Sequence, residues 1–384
     1  MFLEKTIRRN PALIKTSFDL HQSGQIMPDT YVIDLDTLLE NAKNIIQSAK
    51  KHDLKMYFML KQLGRNPIIA KELIKLGYSG AVAVDFNEAK VYMDHNIPIS
   101  NVGHLVQPPK ALLKKLIDYK CEYITVYSIE KAKDINDCLI GTDYKQKIML
   151  RVISDFDMIY SGQHAGFHIN DLKNVILELK KLEHIDIKAL TSFPCFLYNE
   201  NTNKNEPTEN LNTILKAREI VESLGISIEN LNAPSTTCVE TIEEMAKYPV
   251  NSGEPGHGLS GTTPLHAIKD SFEIPAVTYV SEVSHNLSGK SFCYGGGHYR
   301  RSHVANAIVG TNIENSKMTK VIAPELESID YHFGLNDLFK INETVIMAFR
   351  FQIFVTRSTV CIVKGIQSGN PEILGFFNSL GAKL

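Results

Sequence analysis

A chain of 384 residues with 43% hydrophobic and 22% charged residues can bury a large core, and its length corresponds to roughly two or three domains. The formal net charge of −2 gives no electrostatic reason to expect nucleic acid or an anionic membrane surface as a partner. No run approaches the roughly 18 apolar residues of a membrane span. We therefore expect a cytoplasmic protein that acts on a small molecule.

The N-terminal part of the chain predicts one strand and one helix. Residues 1–30 give no clear pattern, whereas Tyr31–Leu35 has the composition of a short strand. In the helix that follows, Thr37 and Glu40 are expected to form a capping box. The strand lies outside the regular pattern described next, so we expect the segment 1–35 to join the C-terminal domain.

The apolar run Tyr57–Leu60 predicts a buried strand that ends at Lys61. Asn66 as the cap and Pro67 as the first helical residue then start a helix. In α/β folds, ligands gather at the carboxyl ends of strands, and a partly desolvated lysine there can lose its proton and form a Schiff base. Taken alone, this stretch is more simply interpreted as a surface lysine after a strand.

Short apolar runs recur along the chain, separated by segments with helical spacing. They cover residues 56–60, 80–84, 101–105, 123–127, 147–153, 186–190, 229–232 and 249–252. Eight runs predict an α/β fold with a (β/α)8 barrel of TIM type over residues 36–264. A doubly wound open sheet would give similar local patterns, but the count of eight favours the closed barrel.

The helices between these runs carry signals at their starts. Ser128 is predicted to cap a helix at 129–139, and Asn170 a helix at 172–182. Strands and helices that alternate in this way are what a barrel requires.

After Pro264 the pattern changes to strand-like segments separated by glycines and polar turns. These segments cover residues 276–283, 291–294, 307–309, 320–323, 345–349 and 353–363. They predict a second, mostly β domain over residues 265–384.

Two further stretches could bind an anion. Ser235, in Ala233–Pro234–Ser235, and Gly256, in Glu254–Pro255–Gly256–His257, could hold a phosphate through hydroxyl and backbone N–H groups. Arg65 could add a forked cation. In isolation, the glycines of residues 253–261 would indicate only a tight turn.

Together with Lys61 and the segment Cys293–Arg300, these stretches resemble the fold-type III pyridoxal-phosphate (PLP) enzymes, the superfamily of alanine racemase and ornithine decarboxylase, and most closely its YhfX-like group. The resemblance covers both domains. It implies that PLP forms an aldimine on Lys61 and that Glu254 keeps the pyridine nitrogen protonated, as in the decarboxylase branch. It also implies a homodimer in which Tyr294 reaches the active site of the partner subunit.

Two positions depart from alanine racemase. The racemase arginine that supports the substrate carboxylate and the phenolic oxygen of the cofactor aligns with His164, and the histidine beneath the ring aligns with Ser192. The substrate is an amino acid but need not be alanine. The cofactor-binding residues that the resemblance implies are Lys61, Arg65, His164, Ser192, Ser235, Glu254, Gly256 and His257.

The resemblance favours a PLP-dependent amino-acid racemase, in which Lys61 removes a Cα proton on one face and Tyr294 returns one on the other. Cationic neighbours such as His298, Arg300 or Arg301 are expected to lower the pKa of Tyr294. A PLP-dependent lyase, either decarboxylase or dehydratase, is the alternative, because Glu254 would favour any carbanion at Cα. A PLP-binding protein without catalytic activity is a third interpretation, but such proteins look like a barrel without a second domain.

The six cysteines contain no C-x-x-C pair, so the sequence shows neither a zinc-ribbon pattern nor a disulfide framework, and a reducing compartment fits. Cys195, Cys238 and Cys293 with His298 could be imagined as a zinc site similar to that of D-serine dehydratase relatives. Their spacing supports this poorly. We expect buried thiols and no metal.

Overall fold

The structure is a computed structural model that describes residues 2–325 and 327–384. Packing divides the chain into two units. The barrel unit comprises Ile45–Leu60 and Ala70–Gly256, and the β unit comprises the residues up to Asn44, Lys61–Ile69 and the residues from His257 onward. The sequence predicted a barrel domain at 36–264 and a second domain at 265–384 that segment 1–35 joins. These limits remain a proposal and are distinct from the two packing units.

The helices of the described residues are, in chain order, α1 (Phe2–Arg9), α2 (Pro11–Gln22), α3 (Leu35–Lys51), α4 (Pro67–Leu76), α5 (Phe86–Asp94), α6 (Lys110–Asp118), α7 (Ile129–Asp137), α8 (Leu172–Leu179), α9 (Glu209–Ser223), α10 (Val239–Met245) and α11 (Pro264–Ile268). None of them has the length and hydropathy that a membrane-crossing helix needs.

The strands are β1 (Thr30–Asp34), β2 (Lys55–Phe58), β3 (Gly80–Ala83), β4 (Ile99–Val102), β5 (Tyr123–Val126), β6 (Gln146–Ile153), β7 (Phe167–His168), β8 (Ile185–Thr191), β9 (Phe196–Asn199), β10 (Lys204–Pro207), β11 (Asn230–Asn232), β12 (Ser252–Gly253), β13 (Val277–Leu287), β14 (Lys290–Tyr294), β15 (Asn306–Gly310), β16 (Lys317–Ile322), β17 (His332–Leu335), β18 (Thr344–Met347), β19 (Thr359–Lys364) and β20 (Glu372–Asn378).

Eight parallel strands close into a barrel in the barrel unit. Their order is β2-β3-β4-β5-β6-β8-β11-β12, and β12 pairs with β2 through Gly253 and Met56. Each of the eight predicted runs overlaps one of these strands, so the predicted TIM-type barrel is confirmed. Buried Tyr123, Met149 and Ala189, from three neighbouring strands, pack together inside it. The antiparallel hairpin of β9 and β10 after β8 was not predicted.

Two of the predicted helix starts are confirmed. Asn66 Oδ1 accepts hydrogen bonds from the backbone N–H groups of Ile68 and Ile69, at 3.0 and 3.3 Å, at the start of α4. The hydroxyl of Ser128 accepts one from the N–H of Lys131 in α7. In both cases a short polar side chain satisfies N–H groups that the first turn leaves open.

The predicted capping box of Thr37 and Glu40 is wrong. Helix α3 begins at Leu35, so Thr37 already lies in its first turn. The carboxylate of Asp34 accepts both the N–H of Thr37, at 3.1 Å, and its hydroxyl, at 2.7 Å. Asp34 therefore caps the helix, and a carboxylate at a helix N-terminus also gains from the helix dipole.

The predicted Asn170 cap is also wrong. Asn170 lies inside a 3-10 turn, Ile169–Asp171, that precedes α8. The N–H of Asn170 donates to Nδ1 of His168 at 3.2 Å, so the histidine supplies the acceptor at this helix start. A short 3-10 turn at a helix N-terminus is common and shifts the cap upstream.

The β unit contains a second closed barrel, of six antiparallel strands in the order β13-β14-β17-β16-β15-β18. Strand β1 pairs with β13 and, in parallel, with β19, which β20 extends. Strands β17 and β20 were not predicted. The predicted segment 353–363 instead divides into a 3-10 turn, Ile353–Val355, and β19. The mostly β character of this part is confirmed.

Helices α1 and α2 occupy the N-terminal segment that gave no sequence pattern. Asn10 caps α2 by accepting the N–H of Leu13 at 3.1 Å, and Pro11 is its first residue. Buried Leu13 then packs against Val32 of β1 and Val280 of β13. The Asn–Pro pair was an available signal for this helix start.

Candidate active site

Polar residues are buried at the carboxyl ends of four barrel strands. They are Arg151 of β6, Thr191 of β8, Asn232 of β11 and Glu254, which follows β12 directly. Carboxyl ends of parallel barrel strands meet at one mouth, which is where TIM-type barrels bind their ligands. Among the described residues, Arg151 Nε, Thr191 Oγ1 and Asn232 Oδ1 have no hydrogen-bond partner. Such atoms are rare in folded proteins, and here they favour a polar ligand at this mouth.

Glu254 is held in place by its neighbours. Its side chain is 4% exposed, and Asn232 Nδ2 donates to Glu254 Oε1 at 2.7 Å. The backbone N–H of Glu254 donates to the hydroxyl of Thr237 at 3.3 Å. A carboxyl group that accepts a short amide hydrogen bond is held in one orientation.

The Ser235 turn has an uncommon backbone. Ser235 has φ of +114° and Thr236 φ of +48°, both in the region that L-residues rarely adopt. The carbonyl of Pro234 accepts the N–H of Cys195 at 2.8 Å, which ties the turn to the segment after β8. Turns of this kind present successive N–H groups to one side and can form an anion-binding concavity. Strain of this kind clusters at ligand sites.

A loop of the barrel unit, residues 154–166, contains His164. Asn210 of α9 anchors this loop through the N–H and carbonyl of Met158, at 3.1 and 3.2 Å, and also donates to the hydroxyl of Ser192 at 3.1 Å. Ser192 is therefore buried and hydrogen-bonded, whereas His164 is exposed.

Arg151 was not identified from the sequence. It is the one charged residue among the apolar side chains of Ile148–Val152, and this was the available signal. Its Nη1 donates to the carbonyl of His104 at 3.0 Å, and its Nη2 to the carbonyl of Gln163 at 2.9 Å.

Lys61 begins a 3-10 turn in the β unit, Lys61–Leu63. Strand β2 ends at Phe58, so the predicted strand end at Lys61 is three residues too late. Within the β unit, Lys61 Nζ lies 5.9 Å from the ring centroid of Phe354, and Cζ of the buried Arg65 lies 5.3 Å from it. In the barrel unit, the N–H of Met59 donates to the carbonyl of Pro255 at 3.0 Å.

His257 follows Gly256 and belongs to the β unit. Its Nε2 donates to the carbonyl of Phe351 at 2.8 Å. Burial, followed by the charges of Arg350 and Lys61, holds the pKa of His257 well below its usual range. The imidazole is therefore neutral at neutral pH, and this residue offers hydrogen bonds rather than a positive charge.

Tyr294 is the last residue of β14 and its side chain is 40% exposed. It pairs in register with His332 of β17, and the two ring centroids are 6.2 Å apart. Asp330 fixes the glycine segment after Tyr294 by accepting the N–H groups of Gly296 and His298, at 3.2 and 3.0 Å. Tyr294 is therefore exposed at the end of β14, next to a glycine segment that Asp330 holds.

The residues expected to lower the pKa of Tyr294 differ in their surroundings. Burial lowers the pKa of His298, so its imidazole is neutral near pH 7 and is not the cation that we expected. Arg300 and Arg301 are exposed.

The three cysteines considered for a zinc site are buried. Burial raises the pKa of Cys293 to about 12 and that of Cys195 well above its usual range, so both are protonated thiols at neutral pH. Cys195 Sγ donates to the carbonyl of Ser192 at 3.3 Å. The described residues contain no group of three or more His, Cys, Asp or Glu that could hold a metal ion.

Comparisons with known proteins agree with the fold. Residues 33–264 match the model of the alanine racemase N-terminal domain, and residues 278–373 match the model of the YhfX-like C-terminal domain. The chain is 42% identical, over 386 residues and 100% of both chains, to YhfX of Escherichia coli K12, an uncharacterized protein. These matches confirm the resemblance inferred from the motifs.

Two solved structures show the same fold at low sequence identity. Alanine racemase of Clostridium difficile 630, in complex with cycloserine, has a TM-score of 0.66 at 18% identity and covers 91% of this chain and 98% of its own. D-threo-3-hydroxyaspartate dehydratase of Delftia sp. HT23 has a TM-score of 0.69 at 12% identity and covers 93% and 98%. A racemase and a lyase thus share this fold, and the fold alone does not choose between their reactions.

Proposed function

The chain belongs to the YhfX family of alanine racemase-like proteins, and we propose that it is a PLP-dependent enzyme acting at the Cα of an amino acid, most specifically a racemase. One observation carries this proposal: Glu254 is buried beside Asn232 at the mouth of the barrel, where further buried polar atoms have no partner among the described residues. Carboxylate, amide and hydroxyl groups in this arrangement fit an aromatic nitrogen heterocycle with a charged ring nitrogen.

The residues that would hold PLP are those that the family resemblance implies. We assign the covalent link to Lys61, which follows Met59 by two residues in the sequence. We assign the phosphate to the Ser235 turn, together with Arg65 and Gly256. Ser192, His164 and the neutral His257 would add polar contacts. When bound, PLP supplies an electron sink that stabilises negative charge at Cα.

Glu254 would set the strength of that sink. Asn232 favours the ionised carboxylate by donating to it, and a buried anion favours a protonated partner beside it. A neutral residue at position 254 would lose this effect.

Lys61 and Tyr294 would exchange the proton. Lys61 takes the Cα proton on one face, and Tyr294 from the partner subunit of a homodimer returns one on the opposite face. The exposed position of Tyr294 at the end of β14 supports a role toward a second subunit. A cytoplasmic location fits this reaction and stays a prediction.

A PLP-dependent lyase is the second candidate, because the buried Glu254 would favour any carbanion at Cα, whether it is then reprotonated or eliminates a group. A PLP-binding protein without turnover is a weaker candidate, since it would not need the exposed tyrosine or the β unit that holds it.

Two measurements on the purified protein test the proposal. Borohydride treatment after incubation with PLP should attach the cofactor to Lys61, as mapped by mass spectrometry. Lys61→Ala should abolish the labelling, whereas Lys55→Ala, at the exposed start of the preceding strand β2, should leave it unchanged. A wild-type protein that takes up no PLP, or labelling at another lysine, would refute the assignment.

The second measurement identifies the reaction. Incubation with L- and D-amino acids in D2O, followed by NMR, should show deuterium at Cα and formation of the opposite enantiomer. Release of carbon dioxide, ammonia or another product instead of the enantiomer would favour the lyase.

A further inference from the structure

Arg151 is a buried cation that has no acidic partner in the part of the chain that the structure describes. It is 1% exposed, and its two described hydrogen bonds go to neutral backbone carbonyls, those of His104 and Gln163. No carboxylate of the described residues forms an ion pair with it. Arginine keeps its charge even when buried, so this arrangement leaves a positive charge in a low-dielectric site. An anion bound beside it would balance that charge.

The surroundings of Arg151 contain further donors. Nε of Arg151 has no hydrogen-bond partner among the described residues, and neither does Oγ1 of Thr191. Arg151 of β6 and Thr191 of β8 are register partners across the barrel wall, so they lie side by side at its mouth. Thr191 is fully buried. A guanidinium N–H and a hydroxyl on neighbouring strands are a donor pair suited to an anionic oxygen.

The guanidinium of Arg151 is fixed next to position 164. Its Nη2 bonds the carbonyl of Gln163, the residue directly before His164. Gln163 is itself tied back by the bond from its N–H to the carbonyl of Tyr160, at 3.0 Å. Alanine racemases have an arginine at the position of His164. In this chain, Arg151 of β6 brings a positive charge to the loop that contains His164.

We propose that Arg151, with Thr191, forms the anion site that the histidine at position 164 does not supply, and that it holds an anionic oxygen of the reacting molecule. This oxygen is either the carboxylate of the amino-acid substrate or the phenolic oxygen of the cofactor. The inference rests on the proposed PLP-dependent function. It adds a binding residue that the motif comparison did not identify.

The test uses the PLP-loaded protein and the variants Arg151→Met and Arg151→Lys. The matched control is Arg218→Met, which removes an exposed guanidinium on α9 that pairs with Glu222. Propionate, which has a carboxylate but no amine, serves as the probe, and its affinity is measured by isothermal titration calorimetry. The pH midpoint of the absorbance of the Lys61-bound cofactor is measured without propionate.

If the anion is the substrate carboxylate, Arg151→Met should weaken propionate binding about tenfold or more, because a charge-assisted, forked contact is lost. If it is the phenolic oxygen, the pH midpoint should shift by about one unit, the size expected when a charge next to a titrating group is removed. Arg218→Met should change neither quantity. Arg151→Lys should show the same change to a smaller extent, since lysine lacks the fork.

Unchanged propionate affinity and an unchanged pH midpoint in Arg151→Met would overturn the inference. If that variant does not fold, the same null result in Arg151→Lys overturns it. Loss of propionate binding in His164→Gln, with full binding in Arg151→Met, would also overturn the inference, because it would show that residue 164 binds the anion. A wild-type protein without PLP on Lys61 would instead refute the proposed function, and propionate binding to that protein would still test Arg151.

Discussion

Asn232 donates a 2.7 Å hydrogen bond from Nδ2 to Oε1 of Glu254, and both side chains are buried at the barrel mouth. The two residues end neighbouring strands, since Asn232 of β11 pairs in register with Ser252 of β12. An amide can orient a carboxylate without neutralising it, because it brings no charge. The pair therefore keeps the Glu254 side chain at a defined place, as our proposed role for it beside a ring nitrogen requires.

Changing Glu254 to Gln should preserve PLP binding but slow Cα proton exchange about tenfold or more, because a neutral amide no longer favours a protonated ring nitrogen. Deuterium incorporation at Cα, followed by NMR, measures the rate. Glu229→Gln is the control, since Glu229 is an exposed carboxylate paired with Lys147. An exchange rate equal to that of wild type would remove the proposed role of Glu254.

Changing Asp34 to Ala should destabilise the protein by about 2 kcal/mol or more, because the start of α3 loses its cap and buried donors lose their acceptor. Asp34 accepts bonds from Thr37, from Asn10 at 3.0 Å and from Gln367 at 2.7 Å. Urea unfolding followed by circular dichroism gives the free energy of unfolding. Glu40→Ala, on the exposed side of the same helix, should stay within about 0.5 kcal/mol of wild type. A larger loss in Glu40→Ala than in Asp34→Ala would support the capping box instead.

These residues show which features could be predicted from the sequence. The eight barrel strands could, because parallel strands buried on both faces are continuous apolar runs. The pairing of Asn232 with Glu254 and the position of Arg151 beside Thr191 could not, because both depend on which strands become neighbours. Strand β17 was missed because only four residues form it and a glycine interrupts its pattern.

The apolar run before Lys61 drew attention to this lysine, and the family resemblance then gave Lys61 and Glu254 their expected roles. Lys61 lies in a short 3-10 turn, which no periodicity of the sequence indicates. Motif comparison assigned roles to both residues, but it did not single out Arg151. Buried polar atoms without a hydrogen-bond partner therefore point to one part of the candidate site, and the sequence motifs point to another part.

Changing Asp29 to Asn should stabilise the protein above pH 6. Burial raises the pKa of Asp29 to about 6, although Ser358 and Tyr279 donate hydrogen bonds to it. The folded state therefore holds this proton more tightly than the unfolded state does. Its stabilising effect is fully present below about pH 4 and is lost as the pH rises through about 6.

The amide of Asn has no proton to lose, so the variant should be more stable than wild type at pH 8 by on the order of 2 kcal/mol, and the difference should shrink toward pH 5. Asparagine also tolerates the φ of +61° at this position. Urea unfolding at several pH values measures the difference. Asp19→Asn, an exposed change on α2, should show no such trend. A constant difference between pH 5 and pH 8 would contradict the assignment to Asp29.

Changing Tyr294 to Phe should abolish conversion between enantiomers, while Lys61 still exchanges the Cα proton of one enantiomer with solvent. The phenyl ring keeps the packing at the end of β14 and removes only the proton-carrying hydroxyl. Chiral chromatography measures the conversion, and NMR in D2O measures the exchange. Equal loss of exchange for both enantiomers would indicate that Tyr294 is structural or that one residue serves both faces.

Mixing inactive Tyr294→Phe and Lys61→Ala proteins should restore part of the racemase activity. Each proposed site takes its lysine from one chain and its tyrosine from the other, so a mixed dimer has one site with both residues and one site with neither. With random exchange of subunits, about half of the dimers are mixed, and recovery should approach roughly a quarter of the wild-type activity per chain. Mixing either variant with the double variant should restore nothing. No recovery in the first mixture, despite subunit exchange verified by native mass spectrometry, would mean that each site is built within one chain.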